Sequence, residues 1–354
     1  MRLRMKNDLL SLIKNKAVTI SLVSGAALIT VAFLVGWFSA LHWYRSEHET
    51  VHKSEQHLGL QAFGYQFINP LLSCESAAES IEDRELRPFQ QTVEQFIDDQ
   101  IKQKHVSKVS VRFREMNNGL SFAIRGSEKF APASLLKVPT MMAYFKWAES
   151  SPRLLTTTAT YDTAIGDQNI GQYYQPAETI VPGKSYTFDE LLYRSIVFSD
   201  NNANTILFNK LPPRILQKVY TDLGVPLPLA RKDRDAEMSV TEYSAFFRIL
   251  FNASYLTRDY SEKALTLLAA TEFPNGLAAG VPRNIIVAQK FGERITGERN
   301  ELLQLHDCGI VYYPEHPYLL CVMTRGASFE DLADTIKDIS RVVYTEVDRH
   351  YRAP

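Results

Sequence analysis

The chain has 354 residues, which is enough for one large or two small domains. Its formal net charge of -1 argues against a nucleic-acid partner, and its 45% hydrophobic content is ordinary for a globular protein. Its three cysteines, Cys74, Cys308 and Cys321, are too few for a disulfide-based scaffold.

Residues 17–41 contain no charged side chain and predict a transmembrane helix. As a helix, the segment would be about 37 Å long at ~1.5 Å per residue, which exceeds the roughly 30 Å hydrocarbon core of a bilayer. A cleaved signal peptide is the alternative, but the apolar stretch is long for one and lacks a good cleavage site. We therefore expect an uncleaved, single-pass anchor.

The charges that flank this segment predict its orientation. Basic residues dominate residues 1–16, whereas acidic residues outnumber basic ones just after residue 41. By the positive-inside rule, residues 1–16 form a cytoplasmic tail. The rest of the chain is then expected in the periplasm or outside the cell, where a cysteine pair could oxidise.

Residues 42–80 are polar at first and predict a juxtamembrane stalk or linker before a domain at 81–354. The stalk contains His48-Glu49-Thr50-Val51-His52, a formal H-E-x-x-H zinc motif. This motif follows the membrane segment almost directly, and no apolar helix surrounds it to build a cleft. We interpret it as solvated stalk, and we expect no metal or other cofactor.

The domain at 81–354 shows strand patterns near both ends and helix patterns between them. A helix at 85–104 precedes a hairpin with strands at 109–113 and 122–124. Further strands are predicted at 285–291, 302–313 and 318–324, before a capped C-terminal helix. This order predicts an α+β fold, in which both ends of the domain form one antiparallel sheet and a helical lobe is inserted.

Three short motifs indicate a catalytic site. Ser134 and Lys137 are three residues apart in an apolar segment, so on a helix they share one face. Ser199-Asp200-Asn201 follows a helix with a capping box, and Lys290-Phe291-Gly292 ends a strand. In this order, Ser-x-x-Lys, Ser-Asp-Asn and Lys-x-Gly are the motif set of class A β-lactamases and penicillin-binding proteins.

The residues around the motifs strengthen this resemblance, which runs from about Val109 to the C-terminal helix. The segments that carry it are ASLLKVP (133–139), GKSYTFDELLYRSIVFSDNNAN (183–204), GLAAGVPRNIIVAQKFGE (276–293) and HDCGIVYYPEHPYLLCVMTRG (306–326). They are similar to class A β-lactamase-type serine hydrolases. The resemblance implies the β-lactamase/transpeptidase-like fold and a serine nucleophile.

The resemblance also implies a role for each motif residue. Ser134 would be the nucleophile, and Lys137 would take its proton if burial and the nearby charge of Lys290 lower the pKa of Lys137. Ser199 would relay a proton to the leaving nitrogen. Asn201 would bind the substrate's side-chain amide or orient Lys137.

The oxyanion of the tetrahedral intermediate would lie between two backbone N–H groups. One belongs to Ser134 at its helix N-terminus, and the other belongs to Glu293, which follows Gly292. Gly292 and Glu293 are therefore expected to line the substrate site.

One departure from the family pattern concerns substrate recognition. The family usually has Thr or Ser between the lysine and the glycine, and that hydroxyl helps to hold the substrate carboxylate. Phe291 stands there in this chain. His306, Arg294 or Arg299 could replace the missing contact, and we include His306 among the candidate substrate-binding residues.

A second departure concerns the deacylation step. Hydrolytic members carry a glutamate, with an asparagine three residues later, in a loop after Ser-Asp-Asn. No Glu-x-x-Asn lies between residues 201 and 241. Asp233, Asp235 and Glu237 are the nearby carboxylates and are candidates for the deacylation base.

The sequence therefore favours a membrane-anchored, class A β-lactamase-like serine hydrolase that hydrolyses β-lactams through an acyl-enzyme on Ser134. Its partner would be a β-lactam or peptidoglycan-type small substrate, and we expect a monomer. A D-alanyl-D-alanine carboxypeptidase, or another serine amidase or esterase, is the alternative on the same scaffold. A non-catalytic binding homologue is a further alternative, but binding alone gives no reason to retain the whole catalytic set.

Cys308 and Cys321 are expected on neighbouring strands joined by the turn PEHP. If that turn is symmetric about Glu315 and His316, the two cysteines are diagonal neighbours on one face. Diagonal placement is marginal for a bridge, and Cys74 is a rival partner. We therefore expect buried thiols here.

Overall fold

The computed structural model describes residues 65–70, 85–228, 236–296 and 302–352. The helices are α1 (Arg87–Lys102), α2 (Lys137–Ser150), α3 (Phe188–Val197), α4 (Asn201–Lys210), α5 (Pro213–Asp222), α6 (Val240–Phe251), α7 (Arg258–Ala269) and α8 (Phe329–Arg352). The strands are β1 (Lys108–Glu115), β2 (Ser121–Ile124), β3 (Lys129–Phe130), β4 (Thr158–Thr160), β5 (Ser185–Thr187), β6 (Met238–Ser239), β7 (Val287–Thr296), β8 (Leu302–Val311) and β9 (Tyr318–Gly326).

The main sheet has the strand order β2-β1-β9-β8-β7, and all neighbouring strands are antiparallel. It joins both ends of the domain, because β1 pairs with β9 along its whole length. The helices from α2 to α7 lie between these strands in sequence. The predicted α+β architecture is therefore confirmed.

Capping boxes define where two helices of the inserted lobe begin. The Thr187 hydroxyl accepts the N–H of Glu190, whose carboxylate accepts the N–H of Thr187. Ser239 and Glu242 make the same exchange at the start of α6. Each box satisfies two backbone N–H groups that a helix leaves unpaired.

The two faces of the sheet are covered differently. On one face, α1 and α8 pack through apolar residues such as Ile97 and Ile336, which are both fully buried. The helical lobe packs on the other face, and its helix α2 is buried on almost all sides, as at Phe145. Burial of such a side chain contributes about 1.5–3 kcal/mol, so these two cores hold the sheet between the helix layers.

The edge strand β7 runs beside a 3-10 turn at Ala133–Leu136, which leads directly into α2. A Cβ on Gly292 would lie only 2.8 Å from the carbonyl oxygen of Pro132 and 3.0 Å from the amide nitrogen of Leu135. Glycine is therefore required for the close approach of β7 to the turn.

Cys308 and Cys321 form a disulfide, so the prediction of free thiols is wrong. The register pairs Cys308 directly with Cys321 and Val311 with Tyr318. The turn is thus centred between Pro314 and Glu315, one position earlier than the sequence analysis assumed. This shift converts diagonal neighbours into directly opposed residues on one face of the sheet.

Residues 65–70, which the sequence places in the linker, pack against the domain. The carboxylate of Glu262 on α7 accepts the backbone N–H groups of Gln66 at 2.7 Å and Phe67 at 2.9 Å. The side chains of Phe67 and Ile68 are buried in the core that contains α2. The linker therefore contributes a segment to the folded domain.

In the ranges that the structure describes, no helix combines the length and the apolar character that a membrane span needs. The predicted tail at 1–16, the predicted anchor at 17–41 and the H-E-x-x-H motif of the stalk lie outside those ranges. So do Cys74, Asp233, Asp235 and Arg299.

Candidate active site

Ser134 lies in the 3-10 turn that precedes α2, and its side chain is partly exposed. The residue before it, Ala133, has a φ of 49°, a left-handed conformation that residues with a Cβ rarely adopt. Such backbone strain costs about 1–3 kcal/mol and concentrates at functional sites. The turn, rather than a continuous helix, thus presents the Ser134 hydroxyl one turn before Lys137.

Lys137 begins α2 and is buried, with 3% of its surface exposed. Its ammonium donates to the carbonyl oxygen of Ser199 at 2.7 Å and to the Ser199 hydroxyl at 3.0 Å. It also donates to Oδ1 of Asn201 at 2.7 Å. Two of the three predicted motifs therefore meet directly at Lys137.

Burial and charge act together on Lys137. Desolvation by burial holds the pKa of the Lys137 ammonium well below its usual range, and the positive charge of Lys290 lowers it further. The carboxylates of Asp200 and Glu293 act in the opposite direction. A lowered pKa makes this lysine easier to deprotonate, and the neutral amine can accept a proton from a neighbouring hydroxyl.

Lys290 on β7 is completely buried, and burial lowers its pKa to about 7. Its ammonium lies 3.2 Å from the carbonyl oxygen of Phe291 and 4.2 Å from the centre of the Phe291 ring. The buried carboxylate of Asp307 raises the pKa of Lys290, while burial raises the pKa of Asp307 itself to about 7. Because its pKa is about 7, the protonated fraction of Lys290 changes steeply with pH around neutrality.

Ser199 and Asp200 are fully buried between α3 and α4. Ser199 has a φ of 57°, a second left-handed position in the site. The Asp200 carboxylate accepts N–H groups of Asn202 at 2.9 Å and Ile180 at 3.0 Å. Asp200 thus fixes the turn that carries Ser199 and Asn201.

Asn169 contributes to this turn, and the sequence analysis did not identify it. Its Oδ1 accepts the backbone N–H of Asn201 at 2.8 Å, and its Nδ2 donates to Asp200 at 2.9 Å. The surrounding loop is rich in Gly, Gln and Tyr and has no hydrophobic period, so its sequence gives no signal for this contact.

The backbone around Gly292 approaches the turn of Ser134, as the oxyanion assignment requires. The side chain of the next residue, Glu293, accepts the backbone N–H groups of Tyr173 at 2.7 Å and Tyr174 at 3.1 Å. Burial raises the pKa of Glu293, whereas these two N–H groups and the lysines Lys137 and Lys290 lower it.

Phe291 has a buried aromatic environment. Its ring stacks on Phe273 with centroids 4.1 Å apart, and the Tyr174 ring packs edge-on at 6.0 Å. Phe291 belongs to the core on the α8 side of the sheet. The position therefore offers no hydroxyl to a substrate.

His306, a predicted substrate-binding residue, has both of its ring nitrogens next to backbone groups. It is fully buried, its Nε2 lies 3.0 Å from the carbonyl oxygen of Ala131, and its Nδ1 accepts the N–H of Thr324 at 3.3 Å. Burial lowers the pKa of His306 to about 4, so the ring is neutral and its Nε2–H donates to Ala131. His306 braces the segment that leads to Ser134.

Two other candidates for substrate contact or deacylation lie on the surface. Arg294 is exposed on β7, and Glu237 is exposed just before β6, which pairs with β3. Among the described residues, no group of three or more His, Cys, Asp or Glu side chains could hold a metal ion.

Comparisons with known proteins agree with this fold. A mutant of PBP-A in an acyl-enzyme complex with penicillin G has a TM-score of 0.63 and 19% identity, with coverage of 73% of this chain and 97% of that one. A β-lactamase from Sphaerobacter thermophilus has a TM-score of 0.62 and 19% identity, with coverage of 75% and 98%.

A variant of the last common ancestor of Gram-negative bacteria class A β-lactamases has a TM-score of 0.61 and 23% identity, with coverage of 73% of this chain and 99% of that one. A comparison with curated proteins finds no match. The sequence model of the β-lactamase enzyme family matches residues 91–347, which is more than half of the chain. The chain therefore belongs to the β-lactamase enzyme family.

Proposed function

We propose that the protein is a serine hydrolase that cleaves amide bonds, with β-lactams as its substrate class, through an acyl-enzyme on Ser134. One observation carries the proposal. Lys137 is buried one turn after Ser134, its pKa is held low, and it is bonded to both Ser199 and Asn201. A lysine whose pKa is lowered by burial, one turn after a strained serine turn, is the kind of base that nucleophilic catalysis needs.

The acylation step follows from these positions. Neutral Lys137 takes the proton of Ser134 as Oγ attacks the carbonyl carbon, and the carbonyl π electrons move to oxygen. The N–H groups of Ser134 and Glu293 stabilise this oxyanion. When the C=O bond reforms, the C–N bond breaks, and the leaving nitrogen receives a proton from Ser199, which is replenished by protonated Lys137.

The substrate class is supported by the family and by PBP-A, whose mutant was solved as an acyl-enzyme with penicillin G. A D,D-carboxypeptidase, or another serine amidase or esterase, is the second candidate. The absence of Glu-x-x-Asn between residues 201 and 241 favours the peptidase, whereas the buried, hydroxyl-free Phe291 favours an amidase or esterase whose substrate carries no carboxylate there. The bonded set around Lys137 argues against a non-catalytic homologue, since binding alone does not require a buried lysine of low pKa.

Labelling with a fluorescent penicillin, followed by timing of label loss, tests the proposed function. We expect covalent labelling that survives denaturation, because an ester to Ser134 forms. A protein that is never labelled by this probe, or by a panel of activated esters and fluorophosphonates, would contradict it.

We expect deacylation of a β-lactam acyl-enzyme to be slow. General-base assistance to the attacking water is worth about 10²–10⁴-fold, and the Glu-x-x-Asn pair that supplies it in the resembling enzymes does not occur between residues 201 and 241. Single-turnover kinetics with a chromogenic cephalosporin should give turnover below about 10 per second, the rough median for enzymes. Faster turnover would defeat this expectation.

Three variants then locate any residual base: Asp233→Asn, Asp235→Asn and Glu237→Gln. If one variant alone traps the acyl-enzyme, that carboxylate activates the water and the β-lactamase assignment is strengthened. If all three behave as wild type, Lys137 serves both steps, as in a peptidase.

We further propose that residues 17–41 anchor the protein and that the domain at 81–354 lies outside the cytoplasm. The support is the charge asymmetry around an uncharged apolar segment. Protease added to intact spheroplasts should digest the domain while a cytoplasmic marker survives. Full protection of the domain until the spheroplasts are lysed would contradict this topology.

A further inference from the structure

A short segment crosses from the helical lobe to the edge strand beside the site. We call residues 172–175 the strap; it follows Gly171, whose φ of 87° only glycine adopts readily. At one end, the Gln172 amide lies 3.5 Å from the carbonyl oxygen of Ser199. At the other, the strap's backbone donates to the carboxylate of Glu293 on β7.

Aromatic contacts hold the strap against the sheet side. The Tyr173 ring lies 4.7 Å from Phe329, and its hydroxyl donates to Glu330 at the start of α8. The Tyr174 ring lies 5.0 Å from Phe273. The strap therefore presents aromatic surface and a bound carboxylate next to the Lys290 end of the site.

The charges at this end do not suit an anionic substrate group. Glu293 is half-buried and interacts electrostatically with both Lys137 and Lys290, so the site's own carboxylate already offsets these cations. Lys290 is buried and only partly protonated at neutral pH, because its pKa is about 7. The side chain of Phe291, between Lys290 and Gly292, has no hydrogen-bond donor.

We propose that Glu293 is a specificity-determining residue that disfavours a carboxylate beside the scissile bond, so that among β-lactams and other amides or esters those with a neutral group at that position react faster. This inference rests on the proposed function, because it concerns the same site. A substrate carboxylate entering beside Gly292 would meet the like charge of Glu293, which is unfavourable in a partly desolvated site. A neutral group avoids this repulsion and packs on the exposed ring of Tyr173.

The test compares a penicillin that has its free carboxylate with the methyl ester of the same penicillin. The readout is the ratio of kcat/KM for acylation of Ser134 by the two probes. Wild type should prefer the ester by roughly tenfold, as expected for a like-charge contact at short range. Glu293→Gln, which removes the charge, should shift the ratio toward the carboxylate by a similar factor.

Two further variants distinguish an effect of the Glu293 charge from an effect of loosening the strap. Glu293→Asp keeps the charge and should keep the preference for the ester. Glu330→Gln weakens the hydrogen bond from the Tyr173 hydroxyl, a second contact that holds the strap, and should leave the ratio within about twofold of wild type.

The proposal is overturned if wild type prefers the free carboxylate, or if Glu293→Gln and Glu330→Gln shift the ratio equally. In both cases Ser134 is still acylated, so the proposed function stands. If neither penicillin nor a fluorophosphonate acylates wild type, the proposed function fails, and the specificity assignment fails with it.

Discussion

Replacement of Lys137 with arginine is expected to slow acylation of Ser134 by roughly 10²–10⁴-fold, the usual contribution of a general base. Burial and the charge of Lys290 lower the pKa of Lys137, which favours the neutral amine over the ammonium. Arginine keeps a positive charge beside Ser199 and Asn201, but it does not lose its proton in proteins. The variant therefore separates the need for a base from the need for a cation.

Stopped-flow measurement of acylation checks this result. Lys146→Arg is the matched control, because Lys146 lies on the same helix and donates to the carbonyl oxygen of Tyr255, away from the site. The control should acylate within about twofold of wild type, as surface substitutions usually have small effects. Wild-type acylation rates in Lys137→Arg would exclude Lys137 as the base.

The pH dependence of the acylation rate tests the role of Lys137 as the base. Acylation should rise with pH as Lys137 loses its proton, because only the neutral amine accepts the proton of Ser134. Lys290→Gln removes a positive neighbour, so the pKa of Lys137 rises and the rising limb moves to higher pH. A shift of that limb to lower pH would contradict the coupling.

Gly292→Ala is expected to reduce acylation by about 10²–10³-fold, the cost of one lost oxyanion donor. The new methyl group would lie 2.8 Å from the Pro132 carbonyl oxygen and 3.0 Å from the Leu135 nitrogen. Because both neighbours are backbone atoms, β7 and the turn of Ser134 must separate. The N–H of Glu293 then moves away from the position of the oxyanion.

The same substitution should also cost about 1–3 kcal/mol of stability, as overpacking in a tight contact usually does. Acylation kinetics and thermal unfolding of the same sample measure both effects. Ile295→Ala is the control, since Ile295 lies on the same strand and is 37% exposed. If Gly292→Ala acylates like wild type, the oxyanion site does not lie between β7 and the turn.

The sheet could be predicted from the sequence because the patterns that mark strands and helix starts are local. Alternating apolar residues marked the strands at both ends of the domain, and the box at Thr187 and Glu190 marked a helix start. The disulfide was missed because strand register depends on where a turn is centred. A displacement of one position at Glu315 changed the relation of Cys308 to Cys321 from diagonal to directly opposed.

The site was predictable where residues form short motifs and unpredictable where contacts are long-range. Ser-x-x-Lys and Ser-Asp-Asn predicted the set that meets at Lys137. Asn169 and the strap come from a loop without hydrophobic period, and their contacts lie about 30 and 120 residues away in sequence. The backbone contacts of His306 were not predictable either, because a lone histidine gives no sign of whether it faces a substrate or braces the backbone.

The central claim is that Ser134 becomes acylated, and peptide mapping of the covalent adduct tests it most directly. Wild type and two variants, Ser134→Ala and Ser150→Ala, are treated with a penicillin and with a fluorophosphonate, and their digests are analysed by mass spectrometry. We predict one adduct, on the peptide that contains Ser134, in wild type and in Ser150→Ala, and none in Ser134→Ala. An adduct on another residue, or equal modification of Ser134→Ala, would contradict the account.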